Sequence, residues 1–357
     1  MRTVVAMSGG VDSSVAALEL KKAGREIIGI TIKTWPKEEC GASGEKLCCS
    51  LEAIQYARSV AEDLDIPYYV VDLSREFARE VKEYFAEEYA RGRTPNPCVY
   101  CNSKIKFGYL FKKANELGAE RIATGHYARI VKKGDEFSLA EAKDEKCDQS
   151  YFLYDIPKEA LAFIDFPLGE MGKDRVREIA TENGFTSADR RSSQDICFAP
   201  AGGDYRKYLE KTGVNAFFPG DILDTSGRVI GKHKGIAWYT VGQRRGIGVA
   251  MENPVYVLKI DTEANAIVVG EKTQAMNTRI RVGDINWLAS RPEASREFET
   301  RIRYNSPKKT ATIDPLGKGE AMVEFHEPEF APTPGQAAVF YDGGIVAGGG
   351  WIEEVLE

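Results

Sequence analysis

The chain has no long apolar run. None of its hydrophobic stretches approaches the roughly 20 residues that a membrane-crossing helix needs, which excludes such a helix. No leader-like segment precedes the first strand, which starts near Thr3, so the expectation is a cytoplasmic protein. There is no internal repeat and no low-complexity tract, which removes solenoids and disordered arrays from consideration. There is no excess of positive charge. Forty-eight Lys and Arg against 54 Asp and Glu give a net charge of −6, which argues against sequence-blind nucleic-acid binding through bulk charge. The cysteines (Cys40, Cys48, Cys49, Cys98, Cys101, Cys147 and Cys197) number seven, an odd count that does not make a disulfide frame. Without an export signal they read as thiols, metal ligands or redox groups. What remains is an ordinary globular composition, 43% hydrophobic and 29% charged over 357 residues, long enough for two or three domains with cores of their own.

The most informative stretch is Ala6-Met7-Ser8-Gly9-Gly10-Val11-Asp12-Ser13-Ser14. It follows a short apolar strand, Thr3–Met7, and leads into a predicted amphipathic helix, Ser13–Ala23, with Val15, Leu18 and Ala23 on one side. A strand, a Ser/Gly turn and a helix start make an anion site. Gly9 and Gly10 let backbone N–H groups turn toward a phosphate, and the helix N-terminus adds partial positive charge. Ser8, Ser13 and Ser14 add hydroxyls, and Asp12 offers a hard oxygen to Mg²⁺ beside the phosphates. No Gly-Lys-Ser/Thr follows, so this is not a Walker A loop. The pattern resembles the Ser-Gly-Gly-x-Asp-Ser signature of the PP-loop ATP pyrophosphatases. That resemblance implies cleavage of ATP between its α and β phosphates and adenylation of a substrate.

The first part of the chain alternates strand and helix. Strands are predicted at Thr3–Met7, Glu26–Lys33, Pro67–Leu73 and Arg121–Tyr127, and helices at Ser13–Ala23, Leu51–Leu64, Ala78–Gly92, Phe107–Leu117 and Lys173–Asn183. This predicts an α/β domain with a parallel sheet covered on both faces and ligands at the carboxyl ends of its strands, where Ser8–Ser14 and Ala123–Tyr127 lie. After about residue 201, Gly-rich turns separate short β-like runs at 220–223, 227–230, 255–260 and 266–269. From about 276, alternating strands at Arg301–Tyr304, Thr310–Ile313, Ala321–Phe325, Ala337–Tyr341 and Trp351–Val355 predict a small antiparallel barrel. The expected domains are therefore 1–200, 201–275 and 276–357. Three windows hold basic residues and no acid: Tyr89–Asn115, Thr225–Met251 (Arg228, Lys232, Lys234, Arg244, Arg245) and Thr300–Ile313. In an acidic chain they read as a localised track for phosphates.

Thr94-Pro95-Asn96-Pro97-Cys98-Val99-Tyr100-Cys101-Asn102 is the second informative block. Two prolines stiffen the approach to a Cys-x-x-Cys turn. Nearby basic residues favour a thiolate. By itself the pair reads as half a zinc site or as a redox pair, with Cys48-Cys49 an awkward partner for zinc. Cys197, in Ser193-Gln194-Asp195-Ile196-Cys197-Phe198, reads alone as a buried core cysteine. Beside an adenylating loop it reads as a sulfur carrier, because adenylation turns a carbonyl oxygen into a leaving group and a sulfur nucleophile must then arrive.

With these motifs the chain resembles the tRNA-specific 2-thiouridylases from end to end. The matching segments include Met7–Ser14, Thr94–Pro97 with Cys101-Asn102, Lys104–Phe107, Ala123–Tyr127, Asp148–Leu153, Ile196–Phe198, Tyr239–Arg244, Arg303-Tyr304, Thr333–Gln336 and Gly348–Gly350. The resemblance implies a PP-loop domain (adenine nucleotide α-hydrolase-like), a small central β-rich domain and a C-terminal antiparallel β-barrel. It implies ATP- and Mg²⁺-dependent 2-thiolation of the wobble uridine of tRNAs, those for Lys, Glu and Gln. A cysteine desulfurase or sulfur-relay protein would be the donor. Carried over residue by residue, Ala6, Met7, Ser8, Gly9, Gly10, Val11, Asp12, Ser13, Ile32 and Gly125 would contact ATP. Cys101 would be the nucleophile and Cys197 the persulfide carrier. Asn96, Pro97 and Cys98 would border the target base, and His126, Cys147, Asp148, Gln149, Arg303, Tyr304 and Gln336 would touch tRNA. The family often has Asp at Cys98 and Lys at Cys147. With Cys98 present, Cys98, Cys101 and Cys197 are also candidate ligands of a [4Fe–4S] cluster that would activate the sulfur. Two other classes stay open: a PP-loop ligase acting on a small metabolite, and a non-catalytic RNA-binding protein. Bland readings stand beside the functional ones: His126 as a structural histidine, Arg303-Tyr304 as a barrel edge pair, and Trp35, Tyr239 and Phe340 as core.

Overall fold

The structure, a computed structural model, describes residues 1–35, 51–185, 196–198, 205–213 and 217–356. The chain divides into two bodies. The first comprises Met1–Val81, Cys98–Gly203 and Gly343–Val346, the second Lys82–Pro97, Asp204–Asp342 and Ala347–Glu357.

The first body is built on five parallel strands: β1 (Arg2–Ala6), β2 (Glu26–Lys33), β3 (Tyr68–Asp72), β4 (Arg121–Thr124) and, after the hairpin β5 (Arg129–Lys133) and β6 (Glu136–Ala140), β7 (Ile164–Asp165). Their order is β3-β2-β1-β4-β7. β1 and β4, both central, have matched ends: Ala6 lies opposite Thr124. The loops leaving them, Met7–Gly10 and Gly125–Tyr127, therefore emerge side by side. Val4 and Val5 are both fully buried. Neighbouring residues of a strand point to opposite faces, so the sheet is covered on both, as expected.

The helices are α1 (Val11–Lys22), α2 (Leu51–Asp63), α3 (Ser74–Phe77), α4 (Tyr84–Ala90), α5 (Pro97–Tyr100), α6 (Leu110–Glu116), α7 (Lys173–Glu182) and α8 (Arg206–Lys211). One face of the sheet carries α1, α2 and α7, whose Val15, Leu18, Val60, Ala61, Val176 and Ile179 form one core with Val5 and Ala123. α1 departs from the expected amphipathic pattern. It buries Val11 and Ser13–Leu18 and exposes Lys21, Lys22 and Ala23, because its small residues let the sheet and α7 pack close. π-helical turns at Ala78–Glu83 and Cys101–Tyr109 join α3 to α4 and α5 to α6.

The second body holds a four-stranded sheet and a barrel. β8 (Gly220–Leu223), β9 (Val229–His233), β10 (Tyr256–Asp261) and β11 (Ala266–Gly270) pair in the order β10-β11-β8-β9. β12 (Met276–Trp287), β13 (Arg296–Arg301), β14 (Lys309–Gly317), β15 (Glu320–Phe330), β16 (Ala337–Asp342) and β17 (Ile345–Leu356) run antiparallel in the order β12-β15-β14-β13-β16-β17, and β12 pairs again with β17 to close the ring. Phe298, Phe340, Ile280, Val282, Ile313 and Val323 fill it. Closure needs glycine: a Cβ on Gly348 would lie 2.6 Å from the Asn286 carbonyl oxygen, and one on Gly350 2.5 Å from that of Gly283. The predicted strand at Arg301–Tyr304 is shifted: β13 ends at Arg301, and Arg303-Tyr304 lies in the turn beyond. Phe340 and Tyr239 are core, as expected.

Candidate active site

The loop after β1 is set by its own hydroxyls. Ser13 Oγ donates to the Gly10 carbonyl at 3.0 Å and accepts the Ser8 N–H at 3.1 Å, and Ser14 Oγ also donates to Gly10 at 3.0 Å. Gly10 is the N-cap of α1 and no side chain caps the helix, so its first-turn N–H groups are left for an anion. The backbone packing permits no side chain at two points. A Cβ on Gly9, whose φ is +74°, would meet the Ala53 carbonyl oxygen at 2.3 Å, and one on Gly125 would lie 2.7 Å from Asp12 C and Ser13 N. Gly125 thus lets the end of β4 press against the first turn of α1, and the predicted ATP residues Ala6–Ser13 and Gly125 form one cradle. Ile32, at the C-terminal end of β2, pairs with Val71 and is partly exposed.

Asp12 has partners the sequence did not reveal. Tyr127 OH donates to its Oδ1 at 2.8 Å, and Lys173 Nζ lies 2.5 and 2.7 Å from its two oxygens. Burial and then the Asp12 carboxylate push the Tyr127 phenol far above its usual range, so it stays a donor. Lys173 opens α7, far along the chain. Only its position as the first helical residue after Gly172 hinted at a loop-facing role.

The charge field of this pocket also reaches Cys147. Its Sγ donates to the Asp144 carbonyl at 3.3 Å, and burial, then Asp144, push the thiol up to about 12. The resemblance implied tRNA contact for this residue, yet its neighbours here include Lys173 and Asp12. Asp148 is buried and accepts the Ala142 N–H at 2.9 Å and the Ser150 hydroxyl at 2.8 Å. Gln149 Oε1 accepts the Tyr127 N–H at 3.0 Å. Gln149 thereby holds the segment after β4, and Asp148 the segment after β6.

Pro97 is the first residue of α5, where a missing N–H costs nothing. The Cys-x-x-Cys pair is thus helical rather than a turn: Cys98 is exposed, and Cys101, one turn on, is partly exposed and begins the π-helical stretch. Asn102 is tied down by donating to the Phe152 carbonyl at 3.0 Å and by accepting Lys106 Nζ at 2.9 Å. Lys106 also donates to His126 Nε2 at 3.1 Å. The proton of a neutral ring therefore sits on Nδ1, 2.6 Å from Thr124 Oγ1. Burial, then Lys106, hold His126 well below the usual histidine range. The ring packs on Phe107 and Phe166. Cys197 lies in a turn, partly exposed, beside Phe198, whose ring meets Phe77 edge-on at 6.0 Å. Cys40, Cys48, Cys49 and Ser193–Asp195 lie outside the described residues.

In the second body, Thr94 is clamped by the Thr333–Gln336 turn. Its N–H donates to Pro334 O at 2.9 Å, and Gln336 Nε2 donates to its carbonyl at 2.8 Å. The loop carrying Asn96 and Pro97 is thereby set by Gln336. Arg303 donates to Phe330 O at 3.3 Å, to Ala331 O and to Thr333 Oγ1 at 3.0 Å, bracing the same turn. Tyr304 follows it in the turn, partly exposed.

Among the described residues, no three His, Cys, Asp or Glu side chains converge as a metal-ion set. Cys98, Cys101 and Cys197, the expected cluster ligands, are not brought together as one, so the residues described do not fit an iron–sulfur cluster. Asp12 does fit Mg²⁺, which is bound through one or two carboxylates and substrate phosphates.

Family models cover almost the whole chain: a tRNA methyl transferase HUP domain over 1–201, a tRNA methyl transferase PRC-barrel domain over 206–271 and an aminomethyltransferase beta-barrel domain over 277–352. The tRNA-specific 2-thiouridylase MnmA of Moorella thermoacetica is 48% identical, over 99% of this chain and 100% of its own length. Those of Geobacter metallireducens and Carboxydothermus hydrogenoformans are 46% and 45% identical, over 99% of this chain and 97% and 98% of theirs. The chain belongs to the tRNA-specific 2-thiouridylase family. As a thiouridylase it is an enzyme, a tRNA sulfurtransferase of the PP-loop, ATP-using kind. In thiouridylase terms, the cradle around Gly9 and Gly125 belongs to the HUP domain, and the Thr333–Gln336 clamp to the barrel domain. No helix among the described residues is long and apolar enough to cross a membrane.

Proposed function

We propose that this enzyme adenylates the 2-oxygen of the wobble uridine in tRNAs for Lys, Glu and Gln, and replaces it with sulfur carried as a persulfide on Cys197. The observation that carries the reading is the uncapped α1 N-terminus beneath a hydroxyl-braced Gly9-Gly10 turn, with Asp12 at its edge. The loop N–H groups hold the phosphates, and Asp12 would hold Mg²⁺, which when bound neutralises phosphate oxygens. The uracil 2-oxygen attacks the α-phosphorus and the α–β bond breaks, releasing pyrophosphate. The terminal sulfur of the Cys197 persulfide then attacks C2 and AMP leaves with the oxygen. The Cys101 thiolate attacks the Cys197 sulfur of the resulting C2–S–S–Cys bridge, which frees the 2-thiouridine and leaves a Cys101–Cys197 disulfide. An external dithiol resets it. A cysteine desulfurase or sulfur-relay protein supplies the sulfur, in the cytoplasm.

AMP release measured with and without tRNA tests the first half. Asp12→Ala should lower it by about 100-fold or more, since it removes the carboxylate that positions Mg²⁺–ATP. AMP release near the parent rate sinks the assignment. Thiolation by Cys98→Ala, Cys101→Ala and Cys197→Ala tests the second half: the first should stay close to the parent, and the other two should be inactive.

A further inference from the structure

Lys106 directs its charge at neutral partners. Its partly buried ammonium donates to Asn102 Oδ1 at 2.9 Å and to His126 Nε2 at 3.1 Å, and among the described residues it makes no ion pair. A lysine usually turns to solvent or to a carboxylate. Here a charged donor joins two uncharged acceptors on separate segments, and each end is itself fixed. Asn102 is buried and donates its amide to Phe152 O at 3.0 Å. The His126 Nδ1–H donates to Thr124 Oγ1 at 2.6 Å, and the ring packs against Phe107 and edge-on against Phe166, with centroids 6.3 and 6.1 Å away. Both ring nitrogens are engaged, so the ring takes no further hydrogen-bond partner while Lys106 holds it.

The two ends of this tie lead to the two halves of the chemistry. Asn102 follows Cys101, which opens the π-helical stretch. Hydrogen bonds there close over five residues, so Lys106 lies one such turn along from Cys101. His126 follows Gly125, the residue that lets the end of β4 press against Asp12 and Ser13. We propose that Lys106 is a positioning residue for the last step of sulfur transfer: by tying Asn102 to His126 it fixes Cys101 where its thiolate reaches the C2–S–S–Cys197 bridge. This rests on the adenylation and Cys101 reading above and adds to it what holds Cys101 in register with the cradle. Without the tie, adenylation and the attack of the Cys197 persulfide proceed, because neither uses the Cys101 turn. AMP leaves, but the thiouridine stays bonded to Cys197 through the bridge until another thiolate attacks the Cys197 sulfur.

The test is a single turnover of the full-length protein. Cys197 is first loaded with sulfur by a cysteine desulfurase and cysteine, small thiols are removed, and ATP, Mg²⁺ and an unmodified tRNA for Glu are added. AMP, free thiolated tRNA and a covalent protein–tRNA adduct, seen on a denaturing gel without reductant, are followed together. Lys106→Met should release AMP within about threefold of the parent but free thiolated tRNA about tenfold more slowly, with the adduct accumulating. Dithiothreitol should discharge that adduct, its thiolate taking the place of Cys101 and leaving a mixed disulfide on Cys197. His126→Phe keeps the ring packing and removes the acceptor. It should accumulate adduct as Lys106→Met does, and the double variant no more than either, because all cut the same tie. A lysine that served only the fold would slow AMP and thiolated tRNA together, with no adduct. That result for Lys106→Met overturns the proposal, as does release of thiolated tRNA at the parent rate or additive losses in the double variant. If Lys106→Met does not fold, His126→Phe decides by the same first two outcomes. A Cys101→Ala protein that forms no adduct overturns instead the Cys101 reading beneath it.

Discussion

At the scale of single residues, two side chains given tRNA contacts by resemblance have demanding structural duties. His126 is neutral, its two ring nitrogens engaged by Lys106 and Thr124. Its folded pKa lies below the unfolded value of about 6.5, so the unfolded chain binds the proton more readily. The stability it contributes is complete above that value and is lost as pH falls toward the folded pKa, at up to about 1.4 kcal/mol per pH unit. His233 is shifted the same way, by burial, and adds to the slope. Urea unfolding between pH 7 and 5.5 should show falling stability, and His126→Gln should flatten the fall; an unchanged slope would mean that the ring is already charged in the native state. Arg303 braces the Ala331–Thr333 backbone, so Arg303→Ala should destabilise by about 2–3 kcal/mol as well as weaken tRNA binding. A thermal melt identical to the parent would leave it a surface RNA contact alone.

At the scale of elements, the close approach of β4 to α1 is the decisive joint. Gly125→Ala must part Asp12 from the strand end or bend the loop. It should cost about 1–3 kcal/mol and lower ATP affinity about tenfold or more, read by titration with ATP. Wild-type affinity would show that the cradle does not depend on that contact. The sequence made much of this region legible. The alternation of apolar strand, Ser/Gly turn and helix is local, so β1, β2, β3 and β4 and the phosphate loop could be read directly. Lys173 and Tyr127 could not, because their meeting with Asp12 depends on how α7 packs over the sheet. The two-residue β7 carries too little pattern to read, and β12 lacks a clean alternation of buried and exposed residues although its Ile280 and Val282 lie in the barrel core. Arg303-Tyr304 looked like strand because β-propensity does not mark where a ladder ends. The iron–sulfur expectation was drawn from residue types alone, and spacing along a chain does not make three thiols converge.

At the scale of the whole molecule, the basic windows are less bare than they look in sequence. Acids flanking the windows or on paired strands reach in: Asp224 pairs with Arg228 at 2.8 Å, Asp221 with Lys232 at 2.5 Å, Glu299 with Lys308 at 3.2 Å and Glu329 with Lys309 at 3.1 Å. Arg244 and Arg245 are exposed and, among the described residues, outside any ion pair. An RNA phosphate gains most from cations that need not leave a carboxylate. Arg244→Ala/Arg245→Ala should therefore lower the slope of log affinity against log salt for tRNA by about 1–2, and Arg228→Ala should leave it almost unchanged. Equal effects would show that local pairing does not govern the track. The order of the chain has its own consequence. Ala140 pairs with Ile345, and the Glu141 N–H donates to Gly344 O at 2.9 Å, so the first body receives a strand partner from a distant part of the sequence. A ribosome delivers that partner long after the hairpin. A nascent chain halted after residue 200 would expose the outer edge of its β5–β6 hairpin throughout the remainder of synthesis, which makes that edge the place for a chaperone to guard.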